Sequence, residues 1–162
     1  MEENINKMKS IHQWFDEYGE SHQNKTNKII HWICIPLIFW SIIALLSLIP
    51  IDFLIKSNFI HWGTVIVIIG LIFYLRLSFR IFLGMFFVSF YVLWDVYFWH
   101  QIIGKSNLLI VSLAMFFLAW ILQFIGHKIE GKKPSFIKDI QFLLIGPAWL
   151  LGFVFKKIGV KF

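Results

Sequence analysis

The chain has 162 residues, of which 59% are hydrophobic, 19% aromatic and 15% charged, and its mean hydropathy is +0.75. Soluble domains carry about 45–50% apolar and about 25% charged residues, so this composition argues against an ordinary water-soluble domain and for lipid as the solvent of much of the surface. The formal charge is +6, yet no Lys/Arg tract forms a nucleic-acid arm, and the lone Cys34 excludes an internal disulfide framework or a CxxC redox pair.

Residues 8–20 place Met8, Ile11, Trp14, Phe15 and Tyr18 at spacings of three and four, the pattern of an amphipathic helix that ends near Gly19. Its aromatic face suits either the headgroup level of a bilayer or packing on the rest of the domain. The first apolar run begins only near Ile29, behind a polar segment rich in Asp and Glu, so no cleavable signal is expected.

Four runs are long and apolar enough to be read as spans, over residues 29–51, 59–75, 81–99 and 108–125. Pro36 is expected to kink the first. Polar connections are expected from Pro50 to Asn58, from Arg76 to Arg80 and from Gly104 to Asn107. A last apolar stretch, 142–155, is interrupted by Gly146-Pro147 and is short for a full crossing; it reads as re-entrant or interfacial. The fold expected is therefore an all-α integral membrane protein with about four transmembrane helices in a single domain, plus an amphipathic N-terminal helix and a short C-terminal one.

Four spans put the N-terminus, the 76–80 turn and everything after residue 126 on one side. That side holds thirteen basic residues (Lys7, Lys9, Lys25, Lys28, Arg76, Arg80, Lys128, Lys132, Lys133, Lys138, Lys156, Lys157 and Lys161), against Lys56 and Lys105 on the other. The positive-inside tendency makes the basic side cytoplasmic, facing the cell interior across an inner membrane in a bacterium or across the endoplasmic reticulum in a eukaryote.

This topology sorts the six histidines. His12, His22, His31 and His127 fall at the cytoplasmic side, His61 and His100 at the opposite rim beside Trp62 and Trp99. His22 and His31 are nine residues apart; at about 100° per residue they would lie on opposite faces of a continuous helix. They converge only if the chain turns in the polar run 22–26, with Thr26 or Asn27 capping the first span. Asn27 and His31 then share a face, as do Gln123, His127 and Glu130. Imidazole with carboxylate suits iron, zinc, copper or nickel; the plainer alternative is a set of interfacial polar side chains. Asp95, one turn from the far rim, reads as a snorkelling or hydrogen-bonded structural acid, and Arg76 and Arg80 as headgroup anchors or partners of a substrate carboxylate. HExxH, GxSxG and Walker motifs are absent.

The segments Tyr18-Gly19-Glu20-Ser21-His22-Gln23-Asn24, Asn27-Lys28-Ile29-Ile30-His31, Ile35-Pro36-Leu37, Gln123 to Pro134 and Gly146-Pro147 resemble the small membrane family that includes the fungal 2-hydroxy-fatty-acid dioxygenase. The resemblance implies an iron(II)-dependent dioxygenase that shortens a 2-hydroxy fatty acid by one carbon and releases CO2. It implies Fe(II) on His22, His31 and His127, with Glu130 as a catalytic residue, a further ligand or an orienting partner, and Asn27 and Gln123 in orienting hydrogen bonds. The partners implied are a 2-hydroxy fatty acid, O2 and the lipid bilayer, with a homo-oligomer left open. Two other functions compete: a zinc-dependent lipid hydrolase on the same histidines, and a non-enzymatic small membrane protein.

Overall fold

The computed structural model describes residues 9–49, 51, 60–134, 136 and 141–162. The expected start of the first helix at Met8, most of the connection from Pro50 to Asn58 and the start of the second span at Phe59 lie outside the described residues. Those described form an all-α structure with five helices: α1 (Ile11–Gly19), α2 (Lys25–Ser47), α3 (Trp62–Leu77), α4 (Phe79–Glu130) and α5 (Phe142–Lys157).

Each start has a local cause. Ser10 and Gln13 form a reciprocal capping box on α1, the Ser10 hydroxyl accepting from the Gln13 N–H and the Gln13 side chain from the Ser10 N–H. Asn24 caps α2, its Oδ1 accepting from the Thr26 and Asn27 N–H groups at 2.8 and 3.3 Å. The cap is thus two or three residues earlier than Thr26 or Asn27, because the asparagine side chain already satisfies the helix's free donors. α2 runs unbroken through Pro36. Ser78 alone, extended at φ −162°, separates α3 from α4 and caps the latter, so the expected 76–80 turn shrinks to one residue.

A straight helix of 52 residues would be about 78 Å long. Yet Ile81 and Met85, from the start of α4, share a buried cluster with Tyr18 and Trp149, and His127, from its end, packs on His22, which stacks on Tyr18. α4 must therefore double back. It does so at Gly104, whose φ of 75° and ψ of 168° leave helical space in a region that favours glycine. Val96 and Leu108, on either side, are buried together with Ile43, Ala44 and Val67. The expected 104–107 connection is thereby reduced to Gly104, with Asn107 already helical and its side chain donating to the Ile103 carbonyl.

α1 turns Ile11, Trp14, Phe15 and Tyr18 inward against Phe142, Ile145, Ala148 and Trp149 of α5, so its aromatic face packs on protein. α5 continues through Gly146-Pro147 for 16 residues without a break. The Tyr74 hydroxyl donates to the Leu144 carbonyl at 2.7 Å and ties α3 to α5. The Trp40 indole donates to Asp95 at 2.7 Å and ties α2 to α4, the structural use expected of that acid.

α2 and α4 are long and apolar enough to cross a membrane, by length and composition. A soluble core helix of that character would be mostly buried, whereas only 22% of the apolar window of α4 is. Phe87, Phe90, Ile110 and Leu118 each expose more than 60% of their surface, far beyond the scattered apolar exposure of soluble monomers.

Where α2 and α4 cross near the histidines, a Cβ on Gly126 would collide with Asn27 Oδ1. Gly126→Ala gains about 1 kcal/mol of helix propensity but incurs overpacking of about 1–3 kcal/mol, so thermal unfolding of the lipid-reconstituted protein should occur at lower temperature. Gly70→Ala, whose Cβ meets only Leu144 at 3.6 Å, should be neutral or stabilising; equal destabilisation by both would contradict this packing.

Candidate metal centre

The site begins with a turn. α1 ends at Gly19, the His22 N–H donates to the Gly19 carbonyl at 3.0 Å, and α2 starts at Lys25, so the chain reverses between His22 and His31. This brings the two rings to a centroid separation of 4.3 Å. His127, in the last turn of α4, completes the group at 5.0 Å from His22 and 4.8 Å from His31. Accessibility is 0% for His22 and His31 and 5% for His127. One ring nitrogen from each residue can be chosen so that all lie within 4.8 Å of one another.

Hydrogen bonding fixes the tautomers of two rings. His22 Nδ1 faces the Tyr18 carbonyl and His31 Nδ1 faces the Asn27 carbonyl at 2.9 Å. A carbonyl only accepts, so Nδ1 carries the proton in both rings and Nε2 keeps its lone pair. Both Nε2 atoms are buried and, like His127 Nδ1, have no hydrogen-bond partner among the described residues. A buried polar atom left unpaired costs about 1–3 kcal/mol, and here three such atoms sit on rings packed against one another. Burial, with the neighbouring His31 adding to it, pushes the pKa of His22 down to about 3, so its imidazole is neutral, the form that ligates metals. The three histidines fit a metal ion that prefers nitrogen ligands, and a carbonyl holding the far nitrogen of the ring is the usual support for such ligands.

Glu130 lies one turn beyond His127 but turns toward the start of α2. Its oxygens accept from the Gln23 and Asn24 N–H groups, both at 2.8 Å, and from Asn27 Nδ2 at 3.1 Å. A carboxylate on the free N–H groups at a helix N-terminus is well placed for both hydrogen bonding and the helix dipole. Asn27 Nδ2 also donates to the Ser21 carbonyl at 3.0 Å, so one buried amide joins the His22 turn, α2 and Glu130. Lys132 adds a further tie, its ammonium donating to the Glu20 carbonyl at 2.7 Å.

The cluster borders two cavities of opposite character. One of about 60 Å³ is lined by His127, Gln123, Trp120 and a largely apolar set that includes Ile38, Phe39 and Leu143. The other, about 250 Å³, is lined by His22 and Gln23 together with Asp16, Lys28 and Lys156. Either exceeds the roughly 10–15 Å³ that one water requires.

The structure thus brings together His22, His31 and His127, places Asn27 and Glu130 beside them, and sets Gln123 on the wall of the apolar cavity. Arg76 and Arg80 line neither cavity; Arg80 donates to the Lys161 carbonyl at 2.7 Å. His12 is exposed and stacks on Phe162, and His61 caps α3. Sequence reasoning missed Tyr18 and Trp149, whose rings pack at 4.2 and 5.4 Å from that of His22, and the cavity lysines Lys28 and Lys156. The i, i+4 relation of Tyr18 to His22 was the available signal for the first; for the others only their place on the basic side of the expected topology pointed the way.

Comparisons with curated proteins and with solved structures gave no match. The family model described as 2-hydroxy-palmitic acid dioxygenase Mpo1-like matches residues 8–158, nearly the whole chain and every residue of the histidine cluster. The chain belongs to the Mpo1-like family.

Proposed function

We propose that this protein is a membrane-embedded, iron(II)-dependent dioxygenase that converts a 2-hydroxy fatty acid into the acid one carbon shorter. The observation that carries the reading is the packing of three buried histidines, each offering a ring nitrogen within 4.8 Å of the others, in a chain whose family is described by that activity. The reaction RCH(OH)COOH + O2 → RCOOH + CO2 + H2O balances without another reductant: the C1–C2 bond breaks, C1 leaves as CO2 and C2 becomes the new carboxyl carbon. Iron(II) held by His22, His31 and His127 would supply the redox chemistry through which O2 takes up four electrons.

The chain's own groups prepare that chemistry. The carbonyls of Tyr18 and Asn27 hold the His22 and His31 rings in the ligating tautomer. Tyr18 and Trp149 cover His22 and exclude water from one side of it. The apolar cavity beside His127 receives the part of the tail nearest the carboxyl end, with Gln123 and the Trp120 indole, which has no hydrogen-bond partner among the described residues, as its polar groups. Glu130 acts as a positioning residue: by clamping the start of α2 it keeps His22 and His31 at the distance His127 requires. The topology that goes with this reading is four crossings, formed by α2, α3 and the two halves of α4, with the histidines at the cytoplasmic face where the basic residues gather.

Purified protein should bind one iron, and adding 2-hydroxypalmitate should consume O2 and release C1 as CO2. His22→Ala, His31→Ala and His127→Ala should each abolish bound iron and turnover. Zinc in place of iron, with ester hydrolysis and no O2 uptake, would replace this reading by a hydrolase; full turnover by the His127→Ala protein would end both. For Glu130→Ala the expected result is a loss of iron affinity of roughly 10–100-fold, the range for groups that support metal ligands, with turnover restored in excess iron. A Glu130→Ala protein that keeps its iron but has lost turnover would assign Glu130 to the chemical step instead.

A further inference from the structure

The polar cavity carries an arrangement that the metal does not account for. Lys28, in the first turn of α2, and Lys156, in the last turn of α5, come from distant parts of the chain to line the same 250 Å³ space, with His22 in its wall. Asp16 is the one acid on that lining, and among the described residues neither lysine makes an ion pair or a side-chain hydrogen bond. The charged side chains of that lining are thus two cations against one carboxylate. The apolar cavity, by contrast, has no cationic residue in its lining.

We propose that Lys28 and Lys156 form the carboxylate-recognition site for the acid substrate, setting its charged end in the polar cavity while the chain passes the histidines toward the apolar one. The identity of the occupant as a 2-hydroxy acid rests on the dioxygenase reading; the recognition of a long-chain carboxylate rests on the two lysines and the paired cavities. An ammonium beside an unpaired carboxylate makes a charge-assisted hydrogen bond about twice as strong as a neutral one. The partly buried Lys28 sits where solvent screening is reduced. Both residues are positioning residues that place C1 and C2 beside the histidines and take no part in the bond changes. Such a site favours an acid over an equally apolar alcohol or ester, because only the acid brings a charge opposite to that of the lysines.

The test uses the full chain, iron-loaded, in phosphatidylcholine nanodiscs that carry no net lipid charge. Binding of palmitate and of hexadecanol is followed by tryptophan fluorescence, Trp149 lying on the cavity wall, at a pH where the acid is ionised. Wild type should prefer the acid by roughly tenfold, equivalent to about 1.4 kcal/mol. The double variant Lys28→Gln/Lys156→Gln should lose that preference, and Lys28→Arg/Lys156→Arg should keep it. Equal binding of both probes by wild type would overturn the proposal. So would an unchanged preference in the double glutamine variant, or its loss in Arg76→Gln/Arg80→Gln with the lysines intact. O2 uptake on 2-hydroxypalmitate, measured on the same samples, separates this proposal from the enzymatic one: lysine-dependent preference without uptake would sink the dioxygenase and leave the carboxylate site, while uptake without such preference would sink the carboxylate site alone.

Discussion

One carboxylate holds the functional end of this molecule together. Glu130 ends the longest helix and accepts hydrogen bonds from Gln23, Asn24 and Asn27, more than a hundred residues earlier. Those three donors belong to the stretch that joins His22 to His31. His127 lies one turn before Glu130 on the same helix, so the clamp that orders the first two histidines also sets their distance to the third. Asn27 extends it, since its carbonyl orients His31 while its amide binds both Ser21 and Glu130. The close approach this demands is possible because residue 126 has no Cβ to meet Asn27.

From that constraint the electrostatics of the rim follow. Burying three imidazoles against one another leaves three ring nitrogens without a hydrogen-bond partner among the described residues, a costly arrangement unless a cation fills it. Around it the chain separates two environments, an apolar cavity on the side of His127 and a lysine-lined one on the side of His22. The polarity of the two cavities matches a molecule with an apolar chain and an anionic end. The remainder of the fold serves this rim: α1 and α5 roof it with aromatic rings, and α3 with the doubled-back α4 carries apolar side chains outward.

Much of this was legible in the chain itself. The nine-residue spacing of His22 and His31 required a turn between them, and the basic residues gathered on one side placed His127 at the same rim. The aromatic stripe from Ile11 to Tyr18 announced a helix with one buried face, though only the structure shows that α5 covers it. Boundaries were less legible, because single side chains decide them: Asn24 starts α2 before the apolar run begins, Ser78 alone replaces a five-residue turn, and Gly104 reverses α4 without a loop. Spacing put Glu130 on one face with His127, yet its oxygens are engaged by the Gln23 and Asn24 N–H groups and the Asn27 amide, donors that no periodicity encodes. Lys28 and Lys156 were visible only as charges, since their meeting depends on how α1, α2 and α5 pack, and long-range packing leaves little trace in local pattern.

The central claim is that these three imidazoles together ligate one metal ion in the folded protein. X-ray absorption at the iron edge of the iron-loaded, lipid-reconstituted chain tests it most directly. The account predicts multiple-scattering features of three imidazoles in wild type, with no imidazole-ligated iron in His31→Ala. A spectrum fitted by oxygen ligands alone, or one unchanged by that substitution, would contradict it.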